Sequence, residues 1–491
     1  AKDLSGLDIP DDYWRIFKHM YFNDGEIPNE FNQIADKLRA RQRKQKGGVC
    51  TINEKNIWLW DDKSAQAMVI LNRNSKHRYR RISTQLKLIW HNLVILPKLY
   101  FKYKKLLRNC YKKNIFIKDK VGIALSTEYQ LHELPLLEEL NNIPVLLRFY
   151  CHESEAQWDE SIKLIDTLYI KNIKINIALI QNRAAINNSD VWHNFLKKIL
   201  PKIHDKVCCI EVGHAINRVK WGIWEAKEYE KLMTMVFEFK NVYPKLKLMG
   251  PAVIDFEWYR IIDALKALPK HIKLFAMSQH LYVDRRGAPE NYQGQFSTLE
   301  KCALGKAIAT ISPQCENHFI ISEINWPIKD TGIYSPIGSP YMAPEWFKDR
   351  PGVTEQQYAD YLIRYLAITL CSGFIEQVLI WRLSAYGYGL VDDKDNFRKR
   401  PAFFALCQFI KCLQDTIFSE RLPSDRDSYL LKFKRDNSEI ILAWDLKKNN
   451  KKVKLPWQCQ YAFDRDGKKI IVENNAIILT PSPCYYIREK L

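Results

Sequence analysis

The stretch CCIEVGHAIN (208–217) is a short apolar run that ends abruptly in a polar turn. Such runs recur from about residue 115 onward, and amphipathic helical segments lie between them. The runs are VGIAL (121–125), VLLRFY (145–150), INIALIQ (175–181), CCIEVG (208–213), LKLMGPAV (246–253), LFAMSQHLY (274–282), FIISEINW (319–326) and VLIWRLS (378–384). Strands that alternate with helices in this way predict a (β/α)₈ barrel. An open doubly wound sheet is the alternative, although no glycine-rich phosphate turn follows the first strand.

The rest of the chain divides around this α/β barrel, which is expected to occupy residues 118–415. Residues 416–491 alternate short strands such as SEIILAWDL (438–446) with turn signals, which predicts a small antiparallel β-sandwich. Residues 76–117 are predicted to form a basic, amphipathic helical segment ahead of the barrel. Residues 1–75 are mixed in character and give no fold prediction.

The length and composition of the chain limit the classes of protein to which it can belong. A chain of 491 residues with 47% apolar content can build a barrel-sized core with appendages. The sequence contains no run of about 18 apolar residues, so no membrane-spanning helix is predicted. The stretch AKDLSGLDIPDDYW (1–14) does not have the pattern of a signal peptide. The twelve cysteines are scattered, without a CxxC pair or zinc spacing. This predicts buried reduced thiols, a cytoplasmic location and no metal or other cofactor.

The positive charge of the chain is concentrated in one segment. The net charge is +19, and fifteen Lys and Arg without any Asp or Glu lie between Lys63 and Lys118. Apolar and aromatic residues are interleaved with these cations in residues 76–113, in two helical stretches separated by Pro97. This pattern favours contact with an anionic membrane surface, on the inner face of the cytoplasmic membrane. The alternatives are a helix packed on its own domain with a solvated basic face, and nucleic acid, for which no recognised motif is present.

Polar and aromatic side chains cluster at the predicted strand ends, where active sites of such barrels lie. Carboxylate, imidazole, guanidinium and indole groups suit a carbohydrate, because aromatic rings stack on sugars and polar groups bind hydroxyls. The strand-end residues are Arg148, Glu211, His214, Asn217, Gln279, His280, Tyr282, Glu323, Asn325, Trp326, Trp381 and Arg382.

With these residues in their order, residues 118–491 resemble glycoside hydrolases of clan A, especially the xylosidase and iduronidase type. The resemblance implies that Glu323 in IISEINW is the nucleophile and that Arg148 lies beside it. It also implies that His280 or Tyr282 holds the nucleophile and that Trp381 lines the sugar site. In that clan the acid/base is the Glu of an Asn-Glu-Pro turn after the fourth strand.

The sequence departs from the family at this turn, where His214-Ala215-Ile216 stands in place of Asn-Glu-Pro. Three interpretations stay open. Glu211 or His214 has taken over as acid; the leaving group is already good, so that the protein transfers a glycosyl group from an activated donor; or the site is a non-catalytic glycan-binding scaffold. The expected substrate is a polysaccharide or glycolipid, such as a bacterial surface polysaccharide or lipopolysaccharide.

For each site residue a structural role is also open. Glu211 is either catalytic or paired with Arg148 or Arg218. His214 is either a base or a filler of the vacated space, and His280 is either catalytic or a positioning residue.

Overall fold

The computed structural model describes residue 33 and residues 56–61, 66–79, 81–112, 114–331, 352–447, 451–472 and 475–489. Two compact units are present: residues 1–87 with 336–351, and residues 88–335 with 352–491. In the first unit the described residues form an antiparallel pair of strands, β1 (Ile57–Asp61) and β2 (Gln66–Ile70), followed by helix α1 (Arg73–Tyr79). Most of the segment 1–75 lies outside the described residues.

The second unit contains a closed barrel of parallel strands, which confirms the (β/α)₈ prediction. The last barrel strand pairs with the first, so the sheet has no free edge. The barrel strands are β4 (Val121–Ala124), β5 (Val145–Tyr150), β6 (Ile175–Ile180), β7 (Cys209–Val212), β8 (Leu248–Ile254), β9 (Leu274–His280), β10 (Cys315–Ile324) and β11 (Gln377–Ile380). Most of these residues are buried on both faces of the sheet, which is why the runs are continuously apolar rather than alternating.

A helix follows each barrel strand. Ser154 and Gln157, and likewise Ser297 and Glu300, form capping boxes that satisfy backbone N–H groups at helix starts. The helices of this unit and of the segment before it are α2 (Ile82–Arg108), α3 (Gln130–Glu139), α4 (Glu155–Ile170), α5 (Arg183–Asn187), α6 (Ser189–Ile203), α7 (Ala226–Val242), α8 (Trp258–Ala267), α9 (Thr298–Ile311), α10 (Glu355–Cys371) and α11 (Pro401–Leu413). A short pair of strands, β12 (Val391–Asp392) and β13 (Arg398–Lys399), lies between β11 and α11.

The C-terminal region consists of antiparallel sheets, as predicted. Its strands are β14 (Ile417–Arg421), β15 (Ser428–Arg435), β16 (Ser438–Asp445), β17 (Lys451–Lys454), β18 (Tyr461–Phe463), β19 (Ala476–Leu479) and β20 (Cys484–Glu489). A six-stranded sheet has the order β18-β20-β16-β15-β14-β3, where β3 is Ile115–Phe116, and β17 pairs with β19. Ile441, Trp457 and Ile477 belong to one buried cluster between the two sheets. The end of the 76–117 segment is therefore a strand of this sheet rather than helix.

The basic segment is mainly helical, in agreement with the prediction. Helix α2 is continuous through Pro97, where the sequence predicts an interruption. Pro97 is on the exposed side, where water can hydrogen-bond the carbonyl that a proline leaves unpaired. Among the described helices, none has both the length and the apolarity that crossing a bilayer requires.

A buried ion pair joins the barrel to the C-terminal sheet. Arg364 of α10 donates two hydrogen bonds to Glu290, one of them at 2.9 Å. The Trp444 indole of β16 donates to the same carboxylate at 3.1 Å, and Arg364 also donates to the carbonyl of Pro481 at 3.2 Å. One carboxylate thus connects three parts of the chain, and removing its charge leaves a buried guanidinium without compensation.

We expect Glu290→Gln to lower the free energy of unfolding by about 3 kcal/mol, the cost typical of breaking one side of a buried pair. Glu138→Gln is the matched control, because Glu138 forms an exposed pair with Lys171, and such pairs contribute less than about 1 kcal/mol. Urea unfolding followed by tryptophan fluorescence measures both. Equal effects of the two substitutions would contradict a stabilising role for the Glu290 junction.

Candidate functional site

The carboxyl ends of four barrel strands bring one carboxylate and its partners together. Glu323 is the penultimate residue of β10, and Arg148 lies on β5. His280 ends β9, Tyr282 follows two residues later, and Trp381 comes directly after β11. Each of these side chains is at most 9% exposed. The barrel therefore assembles the set that the sequence placed at separate strand ends.

Glu323 is held by a donor on each of its oxygens. Arg148 donates to Oε2 through Nη2, and the Tyr282 hydroxyl donates to Oε1. The Arg148 guanidinium lies over the Trp381 ring, 3.3 Å from its centroid. A guanidinium that is stacked on one side and ion-paired at its edge has little freedom, so the carboxylate it binds is fixed in orientation.

These contacts keep Glu323 ionised. Burial by itself raises the pKa of a carboxyl, but the neighbouring His280 and Arg148 and the hydrogen bonds from Tyr282 and Arg148 outweigh it and lower the pKa of Glu323 to about 2. Burial and the Glu323 carboxylate raise the pKa of Tyr282 well above its ordinary value, so its hydroxyl keeps its proton and stays a donor. A buried, oriented carboxylate that is ionised at neutral pH is what a nucleophile requires.

His280 lies between two carboxylates. Its Nδ1 is 3.8 Å from Glu323 Oε2, and its Nε2 is 3.6 Å from Glu211 Oε2. His280 and Glu211 are both fully buried, and neither side chain makes a hydrogen bond to another described residue. Glu211 is thus a neighbour of His280 rather than of Arg148 or Arg218, and it lies behind the imidazole as seen from Glu323.

His214 and Ala215 lie in the turn after β7, where the sequence resemblance predicts the acid/base position. His214 is 3% exposed, its ring meets Trp221 edge to face at 4.3 Å, and it lies 4.7 Å from the His280 ring. Burial, followed by the charges of Arg148, His280 and Lys220, lowers the pKa of His214 well below its ordinary value. The ring is therefore neutral near pH 7. Ala215 is completely buried at a φ of 41° and has no titratable group.

The fold of the chain is similar to that of several solved structures. The chain resembles a family 39 glycoside hydrolase from Bacteroides cellulosilyticus (TM-score 0.56, 15% identity, covering 76% of this chain and 81% of that one). It also resembles a family 30 subfamily 8 xylanase from Clostridium acetobutylicum (0.52, 10%, 77% and 97%) and a family 86 β-porphyranase from Bacteroides plebeius (0.50, 10%, 78% and 75%). A scan against protein-family models and a search of curated proteins found no match.

The chain has a glycoside hydrolase fold of the clan A type. The predicted resemblance is confirmed at the level of the fold, over 76–78% of this chain. At identities of 15% or lower the likeness assigns neither substrate nor activity to this chain.

One group of three side chains in the described residues has the composition of a metal site. The donor atoms of His214, His280 and Glu323 all lie within 4.8 Å of one another. Both oxygens of Glu323 already accept hydrogen bonds from Arg148 and Tyr282. A divalent cation here would lie beside the Arg148 guanidinium, and this like-charge repulsion makes the group a poor cation site.

Three other predicted residues are engaged in the protein framework. Asn217 exchanges two hydrogen bonds of 3.0 Å with the backbone of Ile254, at the end of β8. The Gln279 amide donates to the carbonyl of Asp255 at 2.7 Å. Trp326 is fully buried, packs among tyrosines of α10 and donates to the Gly287 carbonyl at 2.9 Å. The structure brings these residues to the barrel mouth region but pairs each with protein atoms.

Sequence reasoning did not single out two residues at the same end of the barrel. Arg286 lies over the Tyr282 ring at 3.3 Å and donates to Asp255 at 3.0 Å, so it supports the tyrosine that holds Glu323. Glu153 follows β5 and accepts the backbone N–H of Tyr150 at 3.2 Å, and burial raises its pKa to about 7. The position of Glu153 in the sequence, soon after the strand that carries Arg148, could have identified it as a residue at this end of the barrel.

The neutral His214 predicts a pH dependence of stability. An unfolded chain protonates this histidine below its ordinary pKa of about 6.5, whereas the folded protein does so only at much lower pH. The contribution is complete above pH 6.5 and is lost as pH falls below it, by about 1 kcal/mol at pH 5.5. His214→Gln should therefore reduce the loss of unfolding free energy between pH 7.5 and 5.5, measured by urea denaturation.

Trp221→Phe is the control for this measurement, because it disturbs the packing of the ring but keeps the histidine. We expect its pH dependence to equal that of the unmodified protein. The same pH dependence in His214→Gln as in the unmodified protein would show that His214 is not buried in neutral form.

Proposed function

We propose that the chain is a carbohydrate-active enzyme that transfers a glycosyl group through Glu323, from a donor whose leaving group needs no proton. The observation that carries this proposal is a buried Glu323 carboxylate that accepts hydrogen bonds from Arg148 and Tyr282, in a barrel whose turn after β7 has Ala215 where the resemblance predicts a carboxylic acid. The resemblance to clan A supports a sugar as the group transferred. Hydrolysis with water as acceptor is the simplest case of this reaction.

The first step follows from the fixed carboxylate. A Glu323 oxygen attacks the anomeric carbon, and the bond to the leaving group breaks with its electron pair on the departing oxygen. Tyr282 and Arg148 hold the carboxylate during the attack, and Arg148 is kept in place by its stacking on Trp381. The product of this step is a glycosyl ester on Glu323.

The departing oxygen decides which donors react. Typical general acid catalysis contributes about 10²–10⁴-fold, and a plain sugar alkoxide leaves poorly without it. Glu211 is fully buried beyond His280, which argues against it as a relocated acid. His214 is neutral near pH 7 and carries no extra proton to donate. A phosphate or nucleotide leaving group is stable as an anion and requires neither of them.

The second step needs a base rather than an acid. An acceptor hydroxyl, or water, attacks the glycosyl ester and loses its proton, while the Glu323 carboxylate is released. His214 is suited to accept this proton, because its ring is neutral and its Nδ1 makes no hydrogen bond with the described residues. Its low pKa makes it a weak base, so this step is expected to be slow with water.

For the substrate we propose a chemical class. We propose a polysaccharide or glycolipid, such as a bacterial surface polysaccharide or lipopolysaccharide, handled in the cytoplasm at the inner membrane face. The scattered cysteines and the basic segment around residues 76–113 support that location. A non-catalytic glycan-binding scaffold is the competing function, and the dependence of activity on Glu323 separates the two.

Activity should rise steeply with the acidity of the leaving group. We expect dinitrophenyl glycosides or glycosyl phosphates to react, and unactivated disaccharides to react about 10²–10⁴-fold more slowly. Glu323→Gln should lower kcat/KM for the activated donors by about 10⁴-fold or more, since no glycosyl ester can form. Steady-state rates over a leaving-group series, with mass spectrometry of the trapped ester, measure both.

Glu153→Gln is the matched control, because it removes a second carboxylate at the barrel mouth without touching Glu323. It should leave the leaving-group dependence unchanged. Rapid cleavage of plain disaccharides by the unmodified protein would overturn the activated-donor proposal. Loss of that cleavage in Glu153→Gln would then identify Glu153 as the acid.

Restoring a carboxyl at the turn tests the same proposal from the other side. We expect Ala215→Glu to speed the cleavage of poor leaving groups by about 10-fold or more, because it supplies the missing proton donor. Ala215 already has a positive φ, so the substitution adds a side chain without a new backbone requirement. Ala215→Gln has the same size but no acidic proton and should not gain. Equal gains in both variants would refute the acid explanation.

A further inference from the structure

Within the second unit, helix α2 has one face fixed against the barrel. Leu88, Leu99 and Tyr103 are buried along this face. His91 Nδ1 lies 2.8 Å from Asp263 of α8, and the Asn92 amide donates to the carbonyl of Tyr259 at 3.1 Å. Residues 88–103 are therefore anchored at their apolar and polar positions, and the helix cannot rotate to hide its other face.

The opposite face of the same helix is apolar and exposed. Trp90 is 66% exposed and Phe101 is 72% exposed. At 100° per residue these positions point away from Leu88 and Leu99, so they form a second stripe rather than the edge of the packed one. We call this set the outer stripe; it consists of Ile89, Trp90, Leu93, Val94, Leu96, Tyr100 and Phe101.

An exposed stripe of this length needs a partner. Scattered surface hydrophobics are ordinary, but a contiguous apolar strip marks an interaction surface. About three turns of helix between Ile89 and Phe101 carry three aromatic side chains, Trp90, Tyr100 and Phe101, that are mostly exposed to water. Contact between these apolar side chains and water is unfavourable, so burying them against a partner would lower the free energy.

The charges on α2 point to the partner. Lys98, Lys104, Lys105 and Arg108 are exposed on the same helix, and the Lys104 ammonium lies 5.6 Å from the centroid of the Tyr100 ring. The sequence contains no Asp or Glu from Lys63 to Lys118. A surface that accepts apolar side chains and also carries dense negative charge satisfies both sets of groups.

We infer that the outer stripe of α2 inserts into the interface of a membrane that contains anionic lipids. The helix lies in the plane of the membrane, with Trp90 and Phe101 among the acyl chains and the flanking cations at the phosphates. Its other face holds the barrel on the membrane surface. This membrane contact goes beyond the proposed chemistry, since it requires no activity at Glu323.

Two other partners fit the observations less well. A second copy of this chain would cover the apolar groups but would bring two acid-free basic helices together, at a cost that rises as salt is lowered. A nucleic acid would match the cations but would leave the outer stripe without an apolar partner. Of these three partners, a lipid interface is the one that satisfies the aromatic residues and the lysines at the same time.

The test uses the full chain and sedimentation with lipid vesicles. Vesicles of phosphatidylcholine alone are compared with vesicles that also contain phosphatidylglycerol as the anionic lipid. We expect binding to the anionic vesicles, a blue shift of tryptophan fluorescence on binding, and weaker binding as salt rises from 0.1 to 0.5 M. The unmodified protein and each variant are first compared by circular dichroism.

Variants separate the apolar and charged contributions. Trp90→Ser with Phe101→Ser should weaken binding by about 10-fold or more, and Lys104→Gln with Lys105→Gln by a similar factor. The matched control is Leu131→Ser with Ile170→Ser, which removes two exposed apolar residues away from α2 and should not change binding. None of these residues touches Glu323, so glycosyl-transfer activity on soluble donors should stay unchanged in all three variants.

The outcomes that overturn the inference are distinct. Absence of binding to either kind of vesicle, or equal binding to both, overturns it. Binding that survives both α2 variants shows that another surface is responsible and also overturns it. A salt-stabilised dimer in sedimentation velocity, abolished by Trp90→Ser with Phe101→Ser, would assign the outer stripe to a second copy. Failure of the glycosidase assays leaves each of these readouts intact, so the two proposals fail separately.

Discussion

The ion pair between Arg148 and Glu323 is the interaction on which the candidate site depends. Both groups are almost fully buried, and each would be costly to bury alone. The pair is acceptable because Tyr282 donates to the second carboxylate oxygen and Trp381 lies against the guanidinium face. These four residues come from β5, β9, β10 and β11 or the residues just after them, so only a closed barrel can bring them together.

The turn after β7 affects the electrostatics around this pair. It contains a neutral His214 and the methyl group of Ala215, at the position where the sequence resemblance predicts a carboxylic acid. His280 and Glu211 continue the row of buried titratable groups behind Glu323. Glu323 is therefore ionised and His214 is neutral, and the turn after β7 contributes no carboxyl group.

Charged residues are distributed differently in the barrel site and in helix α2. Within the barrel site, Arg148, Arg286 and Arg218 are each paired with a carboxylate. The cations of α2 have no acidic neighbours along the sequence and lie beside an exposed apolar stripe. The arginines of the site are thus compensated by carboxylates within the protein, whereas the cations of α2 have no acidic residue near them in the sequence.

The sequence by itself determined the barrel, the C-terminal antiparallel sheets and the strand ends at which Arg148, His280 and Glu323 lie. Apolar runs at regular spacing are sufficient for this, because parallel strands buried on both faces leave a continuous apolar signal. The sequence also predicted that α2 is an amphipathic, basic helix, because helical periodicity and charge are local properties.

Only the tertiary structure decided what each strand-end residue contacts. Asn217 and Trp326 were grouped with the site by position, but Asn217 pairs with the backbone of Ile254 and Trp326 packs against α10. Glu211 proved to lie behind His280. The position of a residue relative to its strand in the sequence determines at which end of the barrel it lies. Side-chain direction, burial and partners depend on neighbouring strands that are distant in sequence, and these contacts separate a residue of the candidate site from a buried framework residue.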